Sequence, residues 1–400
     1  MFEEPTFLVQ IGHNGHKLSQ SLISQNQADG AILSPADFTK GKNYEIAQEI
    51  NDKGGTVLFD PQYYIPRTKR PGLDTYDYFD DYGGDDFDTA MVSSRYEDLC
   101  SDIISVQDDL GTDAYIAPAR NLDAFSDEKI ESWVELTTTF KQVAEETGRD
   151  IPILASLPVY QKSLVDAGRR SELLNRVTQY DVDGFYVSAE FEKEQRHPLT
   201  GSSEVYSLLH LLNTLNKNRY EVVVGHTHQI AHLFFGIGIN AFASGHYQNL
   251  RAFDTRRWDP QDEQGGGRLV VKYYSEEILN ELRVDPELDL MYQKTDFDIE
   301  TIRTASPYDE DLFDDSVPPS ATGWDFREAA WDHYLWCCNQ IAEKYRGLDE
   351  DERLDTAKEK LEDAEEAYND VSDVFGMLSE PEPAIYSDWQ AALSLIESDL

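Results

Sequence analysis

The sequence predicts a (β/α)8 TIM-like barrel followed by a C-terminal α-helical region. Eight short β-rich runs fall within the first 250 residues, most are separated by segments of helical period, and the runs are almost continuously apolar. Apolar strands alternating with helices mean a parallel sheet covered on both faces, and eight such units make a closed barrel. An open doubly wound sheet would carry a glycine-rich phosphate turn after its first strand. The chain has Gly12-His13-Asn14-Gly15-His16 there, which is not that turn.

The runs are Thr6–Ile11, Ala31–Ser34, Thr56–Asp60, Ala114–Ala117, Ile153–Ser156, Gly184–Ser188, Glu221–Gly225 and Ala241–Gly245. Between them, Tyr44–Asn51, Tyr96–Leu110, Lys129–Glu146, Ser171–Gln179, Glu204–Leu215 and Gln229–Phe235 have helical period. Gly54-Gly55, Gly111 and Gly236/Gly238 lie near helix ends, where a left-handed residue is wanted. The segment 63–91 is too long for an ordinary connection and holds the acidic string DTYDYFDDYGGDDFD. It reads as a lid or a solvated excursion, and its spacing does not fit an EF-hand.

Beyond the barrel, which is expected over 1–275, residues 276–324 read as an irregular linker and 325–400 as helical. Gly265–Gly267 suggests a hinge, Arg268–Tyr274 one more strand, and 297–323 a polar connection. Helices are expected over Asp325–Tyr345, Asp349–Phe375 and Ala384–Glu397. In the middle one Leu354, Ala357, Leu361, Ala364, Tyr368, Val371 and Phe375 repeat at 3, 4 spacing, a seam for pairing with another helix in this chain or in a partner protein.

Composition narrows the setting. Asp and Glu number 77 against 34 Lys and Arg, a formal net charge of −43, and the acids are spread along the whole chain. Such self-repulsion opposes compactness unless concentrated counterion screens it, so a salt-adapted cytoplasmic protein is expected. Cys100, Cys337 and Cys338 form neither a disulfide framework nor a zinc spacing. No signal peptide is visible, and the apolar stretch Ile230–Ala243 is too short to span a membrane.

In a barrel, functional side chains come from the C-terminal ends of the strands and the loops that follow. Those positions hold His13 and His16, Asp60 and Gln62, Arg120, Glu190, His226 and His228, and His246, Asn249 and Arg251. Five of nine histidines gather there, which marks that end as the site. Asp60 and Glu190 read as an acid/base pair tuned by burial, or Asp60 as a cap for its loop. Two imidazoles at i and i+2, His226 and His228, share one side if the strand stays extended. The metal-free reading has His226, His228 and His246 orienting a substrate with Gln62, Arg120 and Asn249; if a divalent metal binds, its ligands are His13, His226 and His228. Arg67, Lys69 and Arg70 after the third strand, and Arg251, Arg256 and Arg257 after the eighth, would form a cationic rim for phosphate, or pair locally with acids.

The stretch Val222–Arg251, VVVGHTHQIAHLFFGIGINAFASGHYQNLR, resembles the seventh and eighth strand units of tRNA-guanine transglycosylases. Gly225, Gly238-Ile239-Asn240 and Arg251 fill comparable places, and Asp60 stands where that family has an acid closing its third strand. Phe242, Ala243 and Ser244 occupy the place of the family's nucleophilic Asp, and its cysteine-rich zinc site is missing. The resemblance implies a diverged barrel enzyme acting on a nucleotide or a base of RNA or DNA. The competing expectations are a metal-dependent hydrolase and a non-catalytic barrel docked into an assembly through its C-terminal helices.

Overall fold

The computed structural model of the chain describes residues 1–65, 72–80, 95–122, 125–191, 199–258, 270–313, 317–324, 328–375 and 384–398. All eight expected strands form: β1 Thr6–Gln10, β2 Gly30–Leu33, β3 Thr56–Phe59, β4 Tyr115–Ala117, β5 Ile153–Tyr160, β6 Gly184–Glu190, β7 Glu221–Val224 and β8 Ala241–Ser244. They make one parallel sheet in the order β3-β2-β1-β8-β7-β6-β5-β4. Its two ends, β3 and β4, meet at their bases. The Asp113 N–H donates to the Val57 carbonyl at 2.9 Å, and the Val57 N–H donates to Asp113 Oδ2 at 2.7 Å. The sheet is therefore a nearly closed (β/α)8 barrel.

Asp113 belongs to a fourfold device. Asp29, Asp113, Asp183 and Asn240, just ahead of β2, β4, β6 and β8, accept the N–H of Phe7, Val57, Ile153 and Val222 at 2.8, 2.7, 2.7 and 2.9 Å. Each odd-numbered strand thus has an early N–H satisfied by a side chain on its even-numbered neighbour, where an unpaired buried donor would be costly. In the sequence each acceptor is followed by Gly or Ala: Asp29-Gly30, Asp113-Ala114, Asp183-Gly184, Asn240-Ala241.

Alternate residues of a strand share a face, so one inward layer fixes the next. Leu8, Ile32, Leu58, Ile116, Leu154, Tyr186, Val223 and Ala241, one from each strand, belong to one buried cluster and fill the barrel. Two residues further along come Gln10, Ser34, Asp60, Ser156 and Ser188, which are all buried and all polar. The barrel is thus apolar at mid-height and polar toward the C-terminal ends of its strands.

The barrel helices are α1 His16–Ser24, α2 Lys40–Asn51, α3 Tyr96–Leu110, α4 Asp127–Glu146, α5 Ala167–Val177, α6 Ser202–Lys217 and α7 Ala231–Gly236. Helix α1 was not expected from the sequence, because its serines depress helix propensity. It is secured by burial of Leu22 and Ile23. Thr39, Ser126 and Asp166 cap α2, α4 and α5 by accepting the N–H of the third residue on. The expected solvated loop needs correction. Residues 66–71 and 81–94 lie outside the described residues, but Tyr76 and Tyr78 from its acidic string are fully buried. Asn43 Nδ2 donates to the Tyr76 hydroxyl at 2.7 Å, and the Tyr78 hydroxyl donates to the Pro61 carbonyl at 2.9 Å. Aromatic area and satisfied hydroxyls outweigh the solvation of the neighbouring acids.

Residue contacts group the chain into two units. The first holds 1–192, 210–227 and 239–263; the second holds 193–209, 228–238 and 264–400. This differs from the division at 275 and 324, because α7 packs on the long C-terminal helix. The second unit contains the antiparallel pair β9 Lys272–Ser275 and β10 Asn280–Arg283, and helices α8 Glu328–Tyr345, α9 Glu350–Phe375 and α10 Ala384–Ser398. The seam of α9 is covered within the chain: a Cβ on Gly236 of α7 would come within 2.6 Å of the Ala357 methyl, and Tyr368 packs on Tyr386 of α10. Residues 297–323 are not a loose linker. Ile302 and Leu312 are fully buried, and buried Asp309 accepts from the Tyr273 hydroxyl at 3.2 Å. The expected hinge Gly265–Gly267 lies outside the described residues. Among the described residues no helix is long and apolar enough to cross a membrane.

Candidate active site at the barrel mouth

Asp60 follows β3 directly and is 1% exposed. The Tyr64 hydroxyl lies 2.9 Å from both carboxylate oxygens, the Gln62 N–H donates to Oδ1 at 3.0 Å, and the Tyr186 hydroxyl reaches Oδ2 at 3.4 Å. Burial pushes this carboxyl up to about 6, against the opposing pull of the Gln62 N–H, the Tyr64 hydroxyl and the Arg257 charge. The Tyr186 hydroxyl also approaches Gln10 Oε1 at 3.3 Å. A Cβ on Gly225 would lie 2.4 Å from that hydroxyl, so only glycine at the end of β7 leaves room for it.

An aromatic wall stands beside this carboxyl. Tyr64, Phe253 and Trp258 form one buried cluster, with Ala36 and Ile65 packed against it. Their rings meet edge-on or tilted at 4.9 to 5.4 Å, and His226 packs on Phe253 at 5.5 Å. Burial, with Arg257 nearby, lowers His226 to about 3, so it is a neutral imidazole. No side chain among the described residues pairs with either of its ring nitrogens.

The wall is held by two carboxylates. Glu190 accepts from Thr255 N at 3.1 Å and Thr255 Oγ1 at 2.8 Å, and more distantly from Asn121 Nδ2 at 3.4 Å. Asp37 pairs with Arg257 and accepts from Ser34 Oγ at 2.7 Å. Glu190 thus secures the segment after β8 and shares no hydrogen bond with Asp60 among the described residues. Two carboxylates at one mouth have acquired different partners, because Thr255 reaches only one of them.

The expected histidine pair separates. β7 ends at Val224, and His226 takes a left-handed backbone with φ 54°, which ends the strand alternation that would align it with His228. In the second unit, His228 stacks on Trp389, and its Nε2 and Nδ1 face the N–H groups of Leu199 and Ile230 at 3.3 and 3.2 Å. Both nitrogens thus face backbone donors, and His13 is exposed. Among the described residues no group of three or more His, Cys, Asp or Glu is arranged to hold a metal ion.

The second basic cluster serves the fold. Arg251 Nε donates to Gly245 O at 2.9 Å and its Nη2 to His246 O at 3.0 Å, Arg256 pairs with Asp254, and Arg257 with Asp37. Arg67, Lys69 and Arg70 lie outside the described residues. His246 is lowered to about 4 by burial and by Arg251, Arg120 is lowered by burial, and Asn249 is exposed. Tyr64, Tyr186, Phe253 and Trp258 were not singled out as site residues in the sequence, whereas Arg257 was expected on the cationic rim. Tyr186 alone had a legible signal, since it sits two residues before Ser188 on an inward face.

No known family model and no curated protein matches the chain. Among solved structures, a putative phosphonomutase from Burkholderia cenocepacia J2315 is similar at TM-score 0.36 and 15% identity, over 62% of this chain and 89% of that one. An L-ribulose 3-epimerase is similar at 0.34 and 12%, over 64% and 83%. A dihydrodipicolinate synthase from Oceanobacillus iheyensis is similar at 0.34 and 10%, over 99% and 97%. The barrel is established by its own strand order, and these distant similarities assign no chemistry to it.

Proposed function

We propose that the chain is a barrel enzyme that moves a proton at the C-terminal mouth, with Asp60 as the base and a flat ring compound, a nucleotide or nucleobase, as the substrate. The observation that carries this reading is the enclosure of Asp60 by the Tyr64 and Tyr186 hydroxyls, beside a wall of Tyr64, Phe253 and Trp258. A carboxyl raised to about 6 is mostly ionised at neutral pH yet basic enough to take a proton. Aromatic walls bind flat rings by stacking. Proton transfer, rather than covalent base exchange, fits a β8 of Ala241–Ser244 that carries no carboxylate. The test is calorimetric binding of guanine and uracil nucleotides to wild type, Trp258→Ala and Asp60→Asn. Trp258→Ala loses binding, whereas Asp60→Asn keeps binding and loses the cellular function. Wild type that binds no base, with Asp60→Asn fully functional, would sink the reading.

A second reading has its own observation. Donors already surround both Asp60 oxygens, and the group is almost wholly buried, as in a structural keystone of a non-catalytic barrel. In that case Asp60→Asn lowers stability and leaves function unchanged wherever the protein still folds.

A further inference from the structure

Among the described residues, Gln10 Nε2, Gln62 Nε2 and Trp258 Nε1 are buried N–H donors of the barrel mouth without a partner, and the last two, on side chains with no exposed surface, lie beside the aromatic wall. Their chemistry is unambiguous. Gln62 Oε1 accepts the Ala36 N–H at 3.2 Å and faces Ser34 Oγ at 3.1 Å, so the amide cannot turn, and its NH2 points elsewhere. An indole nitrogen only donates. The two belong to one neighbourhood, since Ala36, tied to Gln62, packs against the cluster of Tyr64, Phe253 and Trp258. Tyr64 in turn carries the hydroxyl on Asp60. An unpartnered buried donor costs about 1–3 kcal/mol, and a site that keeps two of them is built to receive an acceptor oxygen. Gln62 is also held at φ 53°, a left-handed backbone that side chains rarely adopt and that folds retain mainly where function demands it.

We propose that Gln62 Nε2 and Trp258 Nε1 form an oxyanion pocket for a carbonyl group of the flat ring substrate, whose acidic α-hydrogen faces Asp60. This deepens the reading of Asp60 as the base and rests on it. Asp60 takes the proton from the carbon next to the carbonyl, and the C–H electron pair forms the new C=C bond. The carbonyl π pair moves to oxygen, and the two N–H donors hold the enolate. Return of the proton to the same or another carbon regenerates the carboxylate, so no further reactant is consumed.

The test uses the full chain in concentrated KCl with 4-nitrophenol, whose oxygen stands in for the enolate, and nitrobenzene, which lacks it. In Asp60→Asn the amide mimics the protonated base, and 4-nitrophenol is expected to bind at least tenfold more tightly than nitrobenzene, with the absorbance of its phenolate. Adding Gln62→Leu or Trp258→Phe removes that preference; the second substitution keeps the aromatic packing, so folding is not the cause. Equal binding of both probes, no binding, or a preference indifferent to both substitutions overturns the oxyanion pocket. Infrared titration of wild type separates the two levels. A carboxyl that titrates near 6 beside a failed phenol test leaves the base standing, and one that does not titrate there removes the base as well.

Discussion

The hydroxyl of Tyr64 sits 2.9 Å from each oxygen of Asp60, four residues earlier in the chain, and bridges the carboxylate symmetrically. One O–H serves two acceptors because Pro61 and the left-handed Gln62 fold the chain back so that Tyr64 faces the end of β3. A hydrogen bond to a charged group contributes about 1.5–3 kcal/mol. Tyr64→Phe should lower stability by that order and push the Asp60 carboxyl further above 6, read by infrared titration. An unmoved carboxyl would show that the hydroxyl does not hold it.

Asp60 also sets a pH signature. Its folded pKa lies above the ordinary 3.8, so the folded state binds the proton more tightly than the unfolded chain. The associated stabilisation is present in acid and is lost as pH rises from about 4 through 6, up to roughly 3 kcal/mol. Asp60→Asn should therefore gain stability relative to wild type across that interval, measured as the difference in denaturant midpoints. Parallel midpoints at pH 4 and 8 would contradict the raised carboxyl.

His226 acts in the opposite sense. Its imidazole is depressed from 6.5 to about 3, so the unfolded chain binds the proton first as pH falls. Stability present above 6.5 is lost toward 3, roughly 2 kcal/mol of it by pH 5. His226→Gln should flatten acid sensitivity between pH 7 and 5 in thermal melts, and an unchanged slope would refute it.

Asp113 closes the barrel seam. Asp113→Ala removes the acceptor of the Val57 N–H and should cost about 1.5–3 kcal/mol, whereas Asp113→Asn, which keeps an oxygen there, should cost less. The check is chemical denaturation, with amide exchange reporting whether protection falls first in β3 and β4. Loss spread evenly over the barrel would mean that the seam is not its weak line.

The charge predicts a salt requirement. With 77 acids and 34 Lys and Arg, most carboxylates have no cation of their own to pair with, and self-repulsion falls as the Debye length shrinks from about 10 Å at 0.1 M to about 3 Å at 1 M. The melting temperature should rise steeply between 0.1 and 1 M KCl and less above. A flat response would remove salt adaptation as the meaning of the charge.

Much of the barrel was legible because its signal is local. Apolar runs such as TVLF and EVVV are strands by composition, and period 2 along them carries Asp60, Ser156 and Ser188 to the mouth in register with Leu58, Leu154 and Tyr186. Position was thus written in the sequence, and so was the a/d seam of α9. Partnership was not. Whether Asp60 faces Glu190 or Tyr64, whether His226 aligns with His228, and whether Arg257 meets a ligand or Asp37 depend on where loops from β3, β6, β7 and β8 converge. Two features decided these, a left-handed residue at His226 and a single Thr255 that engages Glu190. Burial settled the chemistry in the same way. The same Asp is an ordinary acid in an open loop and a base near neutrality once Tyr64, Tyr186 and the barrel wall exclude water from it, because the cost of desolvating a charge depends on surroundings that only the folded chain supplies.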